Sequence, residues 1–66
     1  MKKRIERKDG LLTVELTKAF DYESDSHIYI VTYEAHSGHA EDGLYYEGTY
    51  TSEEAAQEKI NMLLEI

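Results

Sequence analysis

From Leu12 the apolar residues alternate with polar ones, Leu12, Val14, Leu16, Phe20 and Tyr22 on one parity and Thr13, Glu15, Thr17 and Asp21 on the other. Period two is the signature of a half-buried strand. Lys18 interrupts the apolar parity and is accommodated if its stem lies along the sheet while the ammonium reaches water. Glu23-Ser24-Asp25-Ser26 has the short polar side chains of a turn, so a hairpin follows. The next run, His27 to Ala35, is apolar on both parities, with Ile28 and Ile30 on one and Tyr29, Val31, Tyr33 and Ala35 on the other. That is the pattern of a central strand. Ser37 to Gly43 reads as a loop with two glycines for positive-φ positions. Leu44 to Tyr50 is the third long strand. Strict alternation there puts Leu44, Tyr46, Gly48 and Tyr50 on one face and Tyr45, Glu47 and Thr49 on the other, with Gly48 marking a bulge or a close backbone approach.

The chain ends in a helix, expected over residues 52–65. Thr51 is placed to cap the first turn with Glu54 reaching back, and Glu53 and Glu54 favour the positive end of the helix dipole. Ala56, Ile60, Leu63 and Leu64 fall in one stripe, and Glu54, Gln57, Glu58, Asn61 and Glu65 form the opposite face. These elements predict an α+β fold: a three- or four-stranded antiparallel meander over residues 11–50 with one C-terminal helix on one face (β-β-β-α). Residues 1–8 add a basic edge strand or arm, and the whole of 1–66 forms one small domain. A single helix of about four turns covers only one face of such a sheet. If it packs on the Ile28 and Ile30 parity, the open face displays Tyr29, Val31 and Tyr33 flanked by Tyr45, an exposed patch for a second copy or a partner.

Size and composition limit what such a fold can do. A chain of 66 residues buries only about 60% of the surface its unfolded form exposes. With no cysteine, neither a disulfide nor a thiolate metal site is available to staple it. No apolar run of the length of a signal-peptide core or a membrane span follows the basic start, so a cytoplasmic protein is expected. Six tyrosines accompany one phenylalanine and no tryptophan. Tyrosine combines strand propensity with the large, stiff contact area favoured at interfaces.

Charge is segregated along the chain. Residues 1–8 carry Lys2, Lys3, Arg4, Arg7 and Lys8 against Glu6, while residues 9–66 carry thirteen carboxylates against Lys18 and Lys59. A body of that sign repels phosphate backbones and anionic membranes and attracts basic surfaces. The basic head lacks a basic face to set its register on nucleic acid, so no direct nucleic-acid binding is expected.

Candidate chemistry is sparse. His36 and His39, with Glu34, Glu41 and Asp42 nearby, resemble half of a metal site, and both can titrate near neutrality if exposed. His27 stands nine residues from His36 along one strand, about 30 Å away, and cannot join them. Asp21, Glu23 and Asp25 imitate the opening of a calcium loop, but Ser26 and Thr32 occupy the positions that need glycine and a bidentate glutamate. Asp9-Gly10 is turn chemistry. No nucleophile elbow, phosphate-cradling loop or convergent acid pair is present, so neither catalysis nor a cofactor is expected.

The segment Gly48-Thr49-Tyr50-Thr51-Ser52-Glu53-Glu54-Ala55-Ala56 resembles the strand-to-helix junction of the small three-stranded arm-binding domains at the front of phage-type integrases. The likeness implies topology alone, since the charge of this chain departs from that family. Size, acidity and the pairing of acids with tyrosines are similar in type to small phage-encoded inhibitors of nucleases and other nucleic-acid enzymes. The expected function is therefore a non-enzymatic protein-binding module that occupies a basic site on a partner, with Glu15, Asp21, Glu23, Asp25, Tyr29, Tyr33, Glu41, Asp42, Tyr45 and Glu47 as its contact residues. A homodimeric accessory domain joined through the open sheet face, and a metal- or pH-responsive module built on His36 and His39, are the alternatives.

Overall fold

The computed structural model describes residues 1–36 and 43–65. Four strands, β1 (Lys2–Glu6), β2 (Leu12–Asp21), β3 (Ser26–Ala35) and β4 (Gly43–Tyr50), precede one helix, α1 (Glu53–Leu64). The strands form one antiparallel sheet in the order β1-β2-β3-β4. This is the β-β-β-α meander expected, with the basic head as its first edge strand. Asp9-Gly10 makes the first turn. The Gly10 N–H donates to the Arg7 carbonyl at 2.9 Å, and the Arg7 N–H donates to the Leu12 carbonyl at 2.8 Å. Gly10 takes φ 72°, where a side chain is disfavoured.

The β2–β3 hairpin closes with Asp21 opposite Ser26. Its turn is built by side chains: Asp21 accepts from the Glu23 N–H at 3.2 Å and from the Ser24 hydroxyl at 2.9 Å. Asp25 adopts φ 55°, a left-handed conformation that aspartate tolerates. This closure pairs even-numbered β2 residues with odd-numbered β3 residues, so Val14 faces Tyr33 and Leu16 faces Val31.

The helix covers that parity. Leu12, Val14, Leu16, Val31, Ala56 and Ile60 form the buried core, with Ile5, Tyr29, Tyr33, Ala35, Tyr50, Leu63 and Leu64 packed against it. The expected face is thereby reversed. Tyr29, Val31 and Tyr33 lie under the helix rather than on the open face, and Tyr45 stacks on Tyr33 with ring centroids 5.2 Å apart. Ile28 and Ile30, on the opposite parity, take the open face and are half-buried. Helix packing follows the strand with one apolar parity, β2, because only there does burial leave polar residues in water.

The β4 alternation is also corrected. Register shifts between Val31 and Thr32, so that Val31 pairs with Gly48 and Thr32 with Tyr46, leaving Glu47 as the extra residue of a bulge. After the bulge the parity changes. Tyr45 and Tyr50 share the helix side, while Tyr46 and Thr49 join on the open side through a 2.6 Å hydroxyl contact. A Cβ on Gly48 would stand 3.1 Å from the Tyr50 hydroxyl and 3.3 Å from its ring, so the glycine makes room for that ring. The helix cap is Ser52 and not Thr51: the Ser52 hydroxyl accepts from the Ala55 N–H at 3.0 Å. Tyr50 is still paired in the sheet, so Thr51 is needed to leave it.

Two outcomes follow for stability. Ile60 is 1% exposed, and Ile60→Ala should cost about 2–5 kcal/mol, a large share of the roughly 3–10 kcal/mol expected for a chain of this length. Urea unfolding should show a strongly lowered midpoint. Ser52→Ala should cost about 0.5–2 kcal/mol through the lost cap, with Thr51→Ala nearly neutral in the same assay.

Candidate protein-interaction surfaces

Folding interleaves the charges that the sequence segregates. Antiparallel pairing lays Arg4 opposite Glu15. On the open face Lys2 stands 3.6 Å from Glu15, and Arg4 bridges Glu15 at 3.4 Å and Glu34 at 3.7 Å. His36 ends the ladder, with Nδ1 3.9 Å from Glu34 and Nε2 2.9 Å from the Thr13 hydroxyl. On the helix side Glu47 meets Lys59 at 3.0 Å. At the first turn Arg7 grips Asp9 at 2.8 Å and donates to the Leu63 carbonyl at 3.4 Å, tying the turn to the last turn of α1.

These contacts separate the expected contact residues into groups. Glu15 lies on the open face among cations, Glu47 is engaged by the helix, and Tyr29, Tyr33 and Tyr45 face α1. Asp21, Glu23 and Asp25 gather at the β2–β3 turn. Glu41, Asp42 and His39 lie outside the described residues. Among the described acids of that set, the structure therefore brings together the three at the hairpin, while its three tyrosines gather under α1.

At that hairpin residues 22–27 are all exposed. Pairing with β1 reaches Thr17, and pairing with β4 begins at Tyr29, yet the β2–β3 ladder continues to Asp21 and Ser26. The tip is thus a two-stranded projection, and the molecule measures 40 × 21 × 16 Å. At its base the Lys18 ammonium sits 5.8 Å from the Tyr29 ring centroid, a cation–π contact that explains how a lysine fits the apolar parity. Further out, Phe20 packs edge-on against Tyr22 at 5.0 Å and against His27 at 5.3 Å. Tyr22 is 87% exposed. Among the described residues no Lys or Arg stands within ion-pair distance of Asp21, Glu23 or Asp25. Phe20, Tyr22 and His27 were not among the expected contact residues. Their signal was the apolar alternation running on past the point where a four-stranded sheet needs it.

A shallow groove on the outer face of α1 is lined by Glu54, Gln57, Glu58 and Asn61, with Gln57 donating to Asn61 at 3.0 Å. Among the described residues no three His, Cys, Asp or Glu side chains converge to hold a metal ion, and no helix is long and apolar enough to cross a membrane. Comparison with protein-family models, with curated proteins and with solved structures returns no match.

Among the described residues two groups have shifted proton affinity. The Arg7 hydrogen bond, followed by the Leu11 backbone N–H, holds Asp9 below its ordinary value of 3.8. The Glu47 hydrogen bond raises Lys59 above 10.5. A lowered carboxylate stabilises the fold above its unfolded value, and that contribution is lost as pH falls through the folded one. A raised ammonium contributes below its unfolded value and loses the contribution only in strong base. Both pairs are solvent-exposed, so each effect is small and weakened by salt. Thermal unfolding of the wild type should therefore show an acid-side loss, below about pH 4, that is reduced in Asp9→Asn. Identical acid limbs for the two proteins would mean that the Arg7–Asp9 clasp contributes nothing.

Proposed function

We propose that this chain is a non-enzymatic protein-binding module whose β2–β3 tip engages a cationic site on a partner protein. The observation that carries the reading is the projecting tip itself: three carboxylates without a cationic neighbour among the described residues, set beside the exposed rings of Phe20 and Tyr22. Elsewhere on the sheet Glu15, Glu34 and Glu47 are paired with Lys2, Arg4 and Lys59. The tip acids steer a positively charged partner and set orientation. The aromatic cluster supplies contact area that becomes dry on docking, the usual source of binding energy at the centre of an interface.

The sharpest form of this reading is occupancy of a basic nucleic-acid-binding site in a partner enzyme. The turn groups its carboxylates into a compact negative cluster, the charge that a phosphate backbone presents, and tyrosine offers a face for the side chains that stack bases. In this form Asp21, Glu23 and Asp25 replace phosphates and Tyr22 replaces a base. The wider surface including Glu15, Glu47 and Tyr29 is not needed.

The test is capture of nucleic-acid-acting proteins with basic sites on the immobilised chain, followed by competition with nucleic acid. Glu23→Lys combined with Asp25→Asn, the latter chosen because asparagine also accepts positive φ, should weaken binding at least about tenfold and reduce its salt dependence. Thermal unfolding should be little changed. Equal binding by wild type and double variant, with the same response to salt, would remove the tip from the interface.

A further inference from the structure

We infer that the open face of the sheet is a two-fold interface with a second copy of this chain. The face carries Ala19 opposite Ile28, Thr17 opposite Ile30, and Ile30 opposite Thr49. Ile28 and Ile30 are only half-buried although they lie in an inner strand, because α1 takes the other side. Among the described residues no second helix covers them.

Charge favours a second copy as the occupant. The 40 × 21 Å extents of the molecule include the projecting tip, so the face is smaller than the roughly 800 Å² each partner gives to a standard interface and suits a concentration-dependent dimer. The molecule carries a net charge of −7, so two copies repel unless they meet where charge is matched. On this face Lys2 and Arg4 offset two of the three carboxylates Glu6, Glu15 and Glu34, with three ion pairs formed within it. The tip and the outer face of α1 remain at the periphery.

The register indicates how the copies align. Arg4, Glu15, Thr32 and Tyr46 form one row across the four strands. A two-fold axis parallel to the strands, passing between β2 and β3, lays β2 over the partner's β3 and β1 over the partner's β4. Thr17 then meets the partner's Ile30, and Ala19 meets the partner's Ile28. Arg4 comes over the ring of the partner's Tyr46, a residue 66% exposed in the single chain, giving a cation–π contact. Every contact occurs twice, as a two-fold interface requires. The same axis leaves both β2–β3 tips at one end of the dimer, where a partner with two cationic sites gains from avidity. The dimer does not depend on the proposed role of the tips.

Light scattering coupled to size exclusion, with sedimentation at concentrations up to about 1 mM, tests the inference. The wild type should dimerise, and Ile30→Asp should be monomeric with an unchanged far-UV spectrum. Should that variant fail to fold, Thr49→Arg serves in its place. It alters an exposed position and sets a cation against the partner's Lys2, which should raise the dimer dissociation constant at least about fivefold. A wild type that stays monomeric throughout this range overturns the interface. So does a folded Ile30→Asp protein, or a folded Thr49→Arg protein, that dimerises as tightly as the wild type.

Discussion

The antiparallel register of β2 against β3 governs the rest of the molecule. With Asp21 opposite Ser26, Leu12, Val14 and Leu16 fall beside Ala35, Tyr33 and Val31. One continuous apolar surface results, and Val31, with no solvent exposure, sits at its centre beneath α1. A slip of one residue would exchange this surface for one of Ile28, Ile30, Thr32 and Glu34, and would turn the β3 tyrosines to water. The turn guards against that slip through the side chains of Asp21 and Ser24 and the left-handed Asp25. A few polar residues at an exposed tip thus select which face the helix covers and which is left open.

The second organising effect is electrostatic. A basic head and an acidic body would attract nonspecifically in the unfolded chain, but the sheet gives that attraction a register by placing Arg4 between Glu15 and Glu34. Each exposed pair contributes little alone. Their combined result is to offset most of the negative charge on one face, while the tip and the outer side of α1 keep theirs. The distribution of charge, more than its total, distinguishes one face of the molecule from another.

Much of the fold was legible because the patterns are local. Alternation in β2, the turn chemistry at Asp9-Gly10, the glycine signal at Gly48 and the apolar stripe of α1 each specify their element without distant information. The covered face of β3 was misassigned although it could be read. A hairpin pairs residues whose numbers have a constant sum, and a closure with an even number of loop residues sets the even apolar parity of β2 beside Tyr29, Val31 and Tyr33. The alternation of β4 failed for a different reason. Its bulge inserts Glu47 and inverts parity midway, and a glycine signals that event without stating which neighbour becomes the extra residue. The grouping of the acids was beyond local reading, since Glu15 and Glu34 acquire their cation only when three strands assemble.

The tip poses the remaining physical question, because its apolar alternation continues where no core exists to reward it. Isolated exposed apolar residues are common and need no explanation. Phe20, Tyr22 and His27 are not isolated: Phe20 packs edge to face on both of the others, beside a turn, Glu23 to Ser26, whose side chains are acidic or small and polar. Ring-to-ring packing fixes their positions without a helix above them and leaves Tyr22 almost wholly in water. A hairpin needed only to join β2 to β3 could turn directly after Thr17, where pairing with β1 ends. The added length places hydrophobic area and negative charge together, away from the core and at the furthest reach of the sheet. That combination adds little to the stability of so thin a domain, and it is the combination that recognition of a cationic surface requires.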